Sequence, residues 1–326
     1  MILVVGATGQ LGSAVVRKGL QEGLRVRALV RPGSRFEPLR AAGADIAMGD
    51  LRDVASLRRS LEGVSAVIAT ATVVFPRGAY AFAADEGRGY ENLLSACRER
   101  DVEQFIFTSI ARFPERYTRA VPTLRWKRHV EGLAIRSGVP YTIFRPGPFM
   151  DDYLIGSRIP LRGAEYATLR RPFWLSRLYL ERLGSLVEER GVALVPGRAG
   201  ACHSFIALDD VATFLLRALG DPAAHNACID LGGPQDLSWN EVAGLYAKLL
   251  GRSVRAIGLR PSLLLRLAST LLGPFSEAAA NQLGILWCLA SREVRLEGHH
   301  AADLLGVRLT TAERFLEHKI SLPDDR

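Results

Sequence analysis

Gly6-Ala7-Thr8-Gly9-Gln10-Leu11-Gly12 directly follows the apolar run Ile2-Leu3-Val4-Val5, and no other stretch constrains the fold as strongly. Three glycines at this spacing also arise by chance, so their context decides what they mean. A short apolar run fits a buried parallel strand, and Leu11, Ala14, Val15 and Leu20 trace a helical stripe that ends near Gly23. Strand, glycine turn and helix therefore follow the order of a dinucleotide-binding βα unit. In such a unit Gly6 permits the tight turn and Gly9 lets the backbone approach a pyrophosphate. Gly12 lets helix and strand pack closely, and the helix N-terminus attracts the anion. Ala7, Thr8, Gln10 and Leu11 complete this expected phosphate-binding loop.

The end of the next strand discriminates between dinucleotides. Val26–Val30 is apolar enough to be that strand, and the position where a carboxylate would bind the ribose hydroxyls of NAD is Arg31. Arg31, with Ser34 and Arg35, can instead hold a 2′-phosphate through charge-assisted hydrogen bonds. NADP(H) is therefore favoured over NAD(H), the bland alternative being a solvated basic loop.

Further strands are expected at Asp45–Met48, 66–71, Gln104–Thr108 and 141–144, with helices at 36–42, 53–61, 90–100 and 124–137 between them. Repeated βα units imply an α/β fold, a Rossmann-type doubly wound parallel sheet. Residues 1–149 read as the nucleotide-binding domain. Residues 150–326 read as a small C-terminal lobe for substrate or partner, with some segments within about 193–231 returning to the main sheet and Ala227–Leu231 as a late strand. Ligands of such sheets bind beyond the carboxyl ends of the strands. Asp50 and Leu51 lie there after the third strand, where Asp50 either meets an adenine amino group or is an ordinary turn residue. The small Ala69, Thr70 and Ala71 follow the fourth, Ser109 ends the fifth, and Pro146, Gly147, Pro148 and Phe149 follow the sixth.

With 326 residues, 48% of them hydrophobic, the chain can bury a sizeable core. A net charge of +8 suits an anionic ligand, an acidic protein partner or an anionic membrane surface without choosing among them. Cys97, Cys202, Cys228 and Cys288 form no close pair, and His129, His203, His225 and His299-His300 lack metal-ligand spacing, so no metal site is expected. A strand that starts at residue 2 leaves no room for a cleaved signal peptide, so the expected location is cytoplasmic, with a peripheral membrane position as an option. Residues 262–275 are interrupted by Arg266 and Pro274, and 278–290 is too short for a span of about 20 residues. Both read as helices packed on the protein, burial being preferred for 262–275 over a membrane surface or a partner. Residues 173–189 read as an amphipathic helix, and Asp209 as the N-cap of a helix at 211–219. Ser238 to Glu241 and Thr310 to Glu313 read as capping boxes. Arg170-Arg171 beside Phe173-Trp174 matches no nucleic-acid motif.

The glycine loop, Leu29-Val30-Arg31, Gly49-Asp50-Leu51, Phe107-Thr108-Ser109, Lys127 and the run from Ser137 to Gly147 resemble the NmrA-like group of atypical short-chain dehydrogenases/reductases. The resemblance implies a Rossmann fold, NAD(P) at the glycine loop and a substrate cleft built by the C-terminal part. Members of that group range from isoflavone-reductase-like enzymes to proteins that bind the cofactor without turnover. Trp126-Lys127 and the stretch from Leu309 to Glu313 look most like the photosystem II assembly factors of cyanobacteria and chloroplasts.

Ordinary short-chain dehydrogenases place a proton-transferring Tyr four residues before a Lys that assists it. Here Thr123 precedes Lys127, and a threonine has no phenol to ionise. The resemblance to isoflavone-reductase-like enzymes permits Lys127 to act directly or through a water. Tyr117 is too far away in sequence to substitute, and Lys127 alone reads equally as part of a basic helix face. Ser109 either aligns a carbonyl or merely ends its strand. Two expectations follow: an NADPH-dependent oxidoreductase in which Lys127 and Ser109 manage the proton for a small molecule enclosed by residues 149–190, or a non-catalytic cofactor-binding scaffold or sensor, such as an assembly factor for a membrane complex.

Overall fold

Every side chain of the first strand, β1 (Ile2–Val5), is buried, as a fully apolar strand flanked by parallel neighbours requires. The computed structural model describes residues 1–72, 87–153, 157–163, 182–183, 185–259 and 262–323. After β1 come β2 (Val26–Val30), β3 (Asp45–Met48), β4 (Ala66–Ala69), β5 (Gln104–Thr108) and β6 (Tyr141–Pro146). β7 (Val192–Pro196) and β8 (Cys202–Ser204) precede β9 (Ala227–Leu231), and β10 (Asp236–Ser238) and β11 (Arg255–Leu259) complete the set. One sheet has the order β3-β2-β1-β4-β5-β6-β9, and β1 pairs in parallel with both β2 and β4. The winding thus reverses between β1 and β4, which defines the doubly wound Rossmann-type architecture. Edge strand β3 is the least buried, and Arg27 of β2 binds its register partner Asp45 at 2.6 Å.

Helices α1 (Gln10–Gln21), α3 (Val54–Ser60), α4 (Gly89–Glu99) and α6 (Pro122–Arg136) lie between these strands; α2 (Glu37–Ala41) and α5 (Glu115–Ala120) are short. Asp53 caps α3 by accepting from the amides of Ala55 and Ser56. Leu3, Val67, Leu93, Phe105, Phe107 and Val130 interlock between sheet and helices in the core. The strand at 66–71 is shorter than its sequence suggests, ending at Ala69, whereas that at 141–144 runs on to Pro146.

The chain divides into two compact units: residues 1–145, 211–229 and 303–307 form the first, and the remaining segments the second. Within the first, buried Gln104 of β5 donates to the Thr142 hydroxyl at 2.9 Å and to the Ala218 carbonyl at 2.8 Å, and accepts from the Gly220 amide at 2.9 Å. One side chain therefore fastens the helix Leu208–Arg217 and the turn after it to the sheet.

The second unit pairs β7 with β11 in parallel and β8 with β10 antiparallel. Its core gathers Val195, Phe205, Trp239, Tyr246 and Leu316. Ser238 and Glu241 form the expected capping box on the helix Trp239–Leu250. Other local expectations need correction. The helix Leu208–Arg217 begins before Asp209, so Asp209 lies in its first turn, where a carboxylate still meets the positive end of the helix. The last helix, Ala312–Ser321, is capped by Thr311 alone, while Thr310 donates from its amide and hydroxyl to buried Asp210. The helix Ser262–Leu272 packs on Glu277–Ser291 by one face only and exposes the leucines of the other, against the expectation of burial. Of the helix expected over 173–189, residues 173–181 and 184 lie outside the described residues; Leu186–Arg190 is helical.

Replacing Gln104 by Leu would leave the buried Ala218 carbonyl without this partner, at a cost of about 1–3 kcal/mol, and would release the exposed Gly220 amide from the sheet. Q104L should unfold at clearly lower urea concentration than the parent chain with the same denaturant slope, as measured by circular dichroism.

Candidate functional site

The turn after β1 is shaped by backbone contact. Gly6 has φ +86°, and a Cβ there would lie 2.6 Å from the Ala71 nitrogen and 2.9 Å from the Thr70 hydroxyl. At Gly12 a Cβ would stand 2.2 Å from the Gly6 carbonyl oxygen. These two positions are closed to side chains by the protein itself. Gly9 differs: it is exposed and in extended backbone, and its Cβ would meet only the Gly6 carbonyl, at 3.1 Å. Little within the fold demands glycine there, whereas a ligand lying against the backbone would.

Gly9 is also the N-cap of α1, with no side-chain cap and no acidic residue in the first turn. The amides of Gln10, Leu11 and Gly12 are thus left for an outside acceptor, and the helix end is electropositive. Buried Ala7 and Leu11 anchor the loop, with Thr8 and Gln10 half-buried beside them. This cradle fits a pyrophosphate: bare backbone donors, an exposed Gly9 with no side chain in the way, and no acidic residue in the first turn of the helix.

Residues beyond β4 wall the same turn. Ala69 is fully buried, the Thr70 amide and hydroxyl both donate to the Val5 carbonyl, and the Ala71 carbonyl accepts from the Tyr90 hydroxyl at 2.6 Å. Tyr90 escapes a sequence reading, since nothing marks a buried aromatic at the start of α4 as the prop of a loop. Leu51 packs against the core and its carbonyl accepts from Asn92.

Arg31 and Arg35 are exposed after β2 and Ser34 is half-buried, in a turn closed by the Ser34 amide on the Arg31 carbonyl. The Arg52 guanidinium binds both oxygens of Asp50 at 2.9 Å and holds its carboxyl below the usual carboxylate range, outweighing partial burial; the charge of Arg31 adds to this. Asp50 is therefore already engaged by Arg52, and the rim beyond β2 and β3 gathers two arginines around one carboxylate. Arg52 was legible only as a turn neighbour of Asp50.

At the end of β5, Lys127 is buried rather than solvated. Its Nζ donates to the Thr108 carbonyl at 2.9 Å and lies 4.7 Å from the centre of the Phe107 ring. Ser109 is buried next to Thr108, and its hydroxyl donates to Glu131 Oε1 at 2.6 Å. Arg145, at the end of β6, binds both oxygens of the same carboxylate at 2.9 and 2.8 Å. Burial would raise the Glu131 pKa, but the hydrogen bonds from Arg145 and Ser109 and the Arg145 charge hold it below the ordinary range. Thr123, Lys127 and Glu131 recur every four residues on the buried side of α6, so one helix face carries them all to the strand ends. Glu131 and Arg145 were not singled out as site residues from sequence; the four-residue spacing was the available signal for Glu131 alone.

Pro146, Gly147 and Pro148 are buried and Phe149 half-buried, all in the second unit. Their backbone is committed internally: the Gly147 amide donates to the Leu231 carbonyl, the Pro148 carbonyl accepts from the Ile206 amide, and Phe149 pairs with Ile206. Of residues 149–190, expected to enclose a substrate, 154–156, 164–181 and 184 lie outside the described residues. Among the described residues no cluster of His, Cys, Asp or Glu could hold a metal ion.

The sequence pattern of the NmrA-like family matches residues 1–285. The photosystem II assembly factor Ycf39 of Trieres chinensis is 29% identical over 274 residues, 84% of this chain and 76% of that protein. The NAD(P)H azoreductase of Xenophilus azovorans is 30% identical over 260 residues, 79% of this chain and 77% of that one. Among solved structures, the NADPH complex of the quinone oxidoreductase QOR2 from Escherichia coli superposes with a TM-score of 0.70 at 20% identity, covering 98% of this chain and all of that one.

Substituting Glu131 by Gln removes the counter-charge of buried Arg145 and should destabilise the protein by about 2–4 kcal/mol. A carboxylate whose folded-state pKa is depressed contributes stability that is fully present above its unfolded value and is lost as pH falls through the folded one. Between about pH 5 and 3 the stability of E131Q should therefore fall less steeply than that of the parent chain, as followed by thermal melts across that range.

Proposed function

This chain belongs to the NmrA-like family, and from that premise we propose that it binds NADP(H) at the Gly6–Gly12 loop and reduces a small organic molecule. The observation that carries the reading is Lys127, held inside the protein on the Thr108 carbonyl at the end of β5 instead of lying in solvent. A surface lysine needs no such burial; a lysine that delivers a proton at a fixed point does. The azoreductase and quinone oxidoreductase relatives support this choice of chemistry.

The bare first-turn amides of α1 would hold the pyrophosphate, and Arg31, Ser34 and Arg35 the 2′-phosphate. When bound, the nicotinamide supplies hydride. The chain's own task is the proton, carried on Lys127 Nζ. Ser109 has its hydroxyl proton directed at Glu131, so its oxygen lone pairs remain available to accept a hydrogen bond. Glu131 and Arg145 act by positioning Ser109. Asp50, clamped by Arg52, shapes the adenosine end of the site.

A second reading rests on Thr123, which stands four residues before Lys127 with no phenol to transfer a proton. On that reading the cofactor stabilises a surface for a protein partner, as the Ycf39 relatives suggest for a scaffold in complex assembly.

Two variants separate these readings. Lys127→Ala should lower kcat with NADPH and a panel of quinones and azo compounds by about 10²–10⁴-fold while cofactor affinity changes little. Absence of NADPH oxidation by the parent chain across that panel, with tight NADPH binding, would favour the scaffold. Arg31→Ala should weaken NADPH binding about tenfold or more and leave NADH binding nearly unchanged, as read by fluorescence titration. Equal losses for both nucleotides would remove the NADP preference.

A further inference from the structure

The helix Ser262–Leu272 is fastened to the second unit along one side. Leu265 and Ala268 are half-buried, Ser269 is buried and donates its hydroxyl to the Ala280 carbonyl at 2.8 Å, and Arg266 lies over the Trp287 ring at 5.5 Å. Its other side holds Leu263, Leu264, Leu267 and Leu271, exposed by 63, 65, 48 and 70%, with Phe275 just beyond at 87%. At about 100° per residue these leucines fall within a single arc of about 100°. So continuous an apolar stripe on a protein surface marks a contact.

Charge indicates what it contacts. Residues 251–276 contain Arg252, Arg255, Arg260 and Arg266 and not one Asp or Glu, within a chain of net charge +8. Arg255 is exposed on the same alternation of β11 as Ile257 and Leu259, which are exposed by 39 and 47%. Exposed apolar residues and arginines thus share one short stretch of the sequence. A second copy of this chain is a poor occupant, since a two-fold pairing would set the arginines of this stretch against one another, with Glu277 the nearest acid in the sequence to answer them. A specific protein interface would draw its anchors from Trp, Tyr and Arg, and leucine is under-represented among such anchors. Leucines and a phenylalanine with arginines alongside are instead what an anionic lipid surface takes up: the apolar tips enter the boundary of the acyl region and the guanidinium groups meet phosphate. No described helix is long and apolar enough to cross a bilayer.

We propose that the face formed by Leu263, Leu264, Leu267, Leu271 and Phe275, with Arg266 on the same helix and Arg255 in the preceding strand, docks this protein on anionic membrane surfaces, the helix lying in the plane of the interface. The docking uses no residue of the nucleotide site and is independent of whether hydride is transferred.

Flotation of the full chain with phosphatidylglycerol/phosphatidylcholine vesicles tests this, with vesicles of phosphatidylcholine alone as the second arm. Binding should favour the anionic vesicles and weaken with added salt. The pair Leu264→Glu and Leu271→Glu should lower binding at least about tenfold. Arg255→Gln should lower it about fivefold on anionic vesicles and leave the neutral arm unchanged. All these side chains are exposed, so unchanged melting temperature and NADPH affinity verify that the variants are folded. The proposal is overturned if the parent chain does not float with anionic vesicles, or if the double variant floats as well as the parent. It is equally overturned if vesicles are ignored while a dimer seen by light scattering, or a purified protein partner, is lost on the double substitution.

Discussion

The first unit is organised around a backbone contact that excludes side chains. Where the sheet reverses its winding between β1 and β4, Gly6 lies against Thr70 and Ala71, and α1 starts so close to the turn that Gly12 touches the Gly6 carbonyl. A methyl group at either place would push the strand, the helix or the following loop aside. Because the contact holds, β1 can feed its helix directly, and the first-turn amides stand bare at the crevice beyond the strands. The rest of the candidate site is placed with respect to that crevice.

From there the order passes through side chains. Tyr90 holds the Ala71 carbonyl and packs edge-on against Phe107 at 5.3 Å between ring centres; Phe107 in turn lies under the ammonium of Lys127. Beside them Ser109, Glu131 and Arg145 form a buried, hydrogen-bonded ion pair with a hydroxyl attached. Such a pair is weak support for overall stability, because desolvation offsets most of the attraction. Its geometry is nonetheless demanding, since every donor must be met. Holding Ser109 in one orientation next to Thr108 is the kind of service for which a buried pair is retained.

Much of this was readable in advance for identifiable reasons. Short runs of four or five residues placed β1, β2 and β5 to the residue, because a parallel strand buried on both faces tolerates little but apolar side chains; the exposed edge strand β3 was placed by the alternation of strands and helices. The glycine spacing located the crevice, and Ser238 announced its helix by capping chemistry. Reading failed where a local signal competes with a distant partner. Thr310 looked like a cap and instead binds Asp210, a hundred residues away. Residues 262–275 were apolar enough to suggest burial, yet one face meets a neighbour and the other does not, a difference that hydropathy along a chain cannot express.

The amino-acid order alone settled the βα alternation, the dinucleotide loop and the absence of a tyrosine before Lys127, because each depends on residues within one turn or one strand of each other. Folding was needed to decide that Lys127 is buried on the Thr108 carbonyl, that Glu131 and Arg145 hold Ser109, and that a leucine face is left uncovered. Those outcomes depend on which helix face meets which strand end. Burial and charge pairing are properties of surfaces brought together from far apart, and they exist only once the sheet has set the distances.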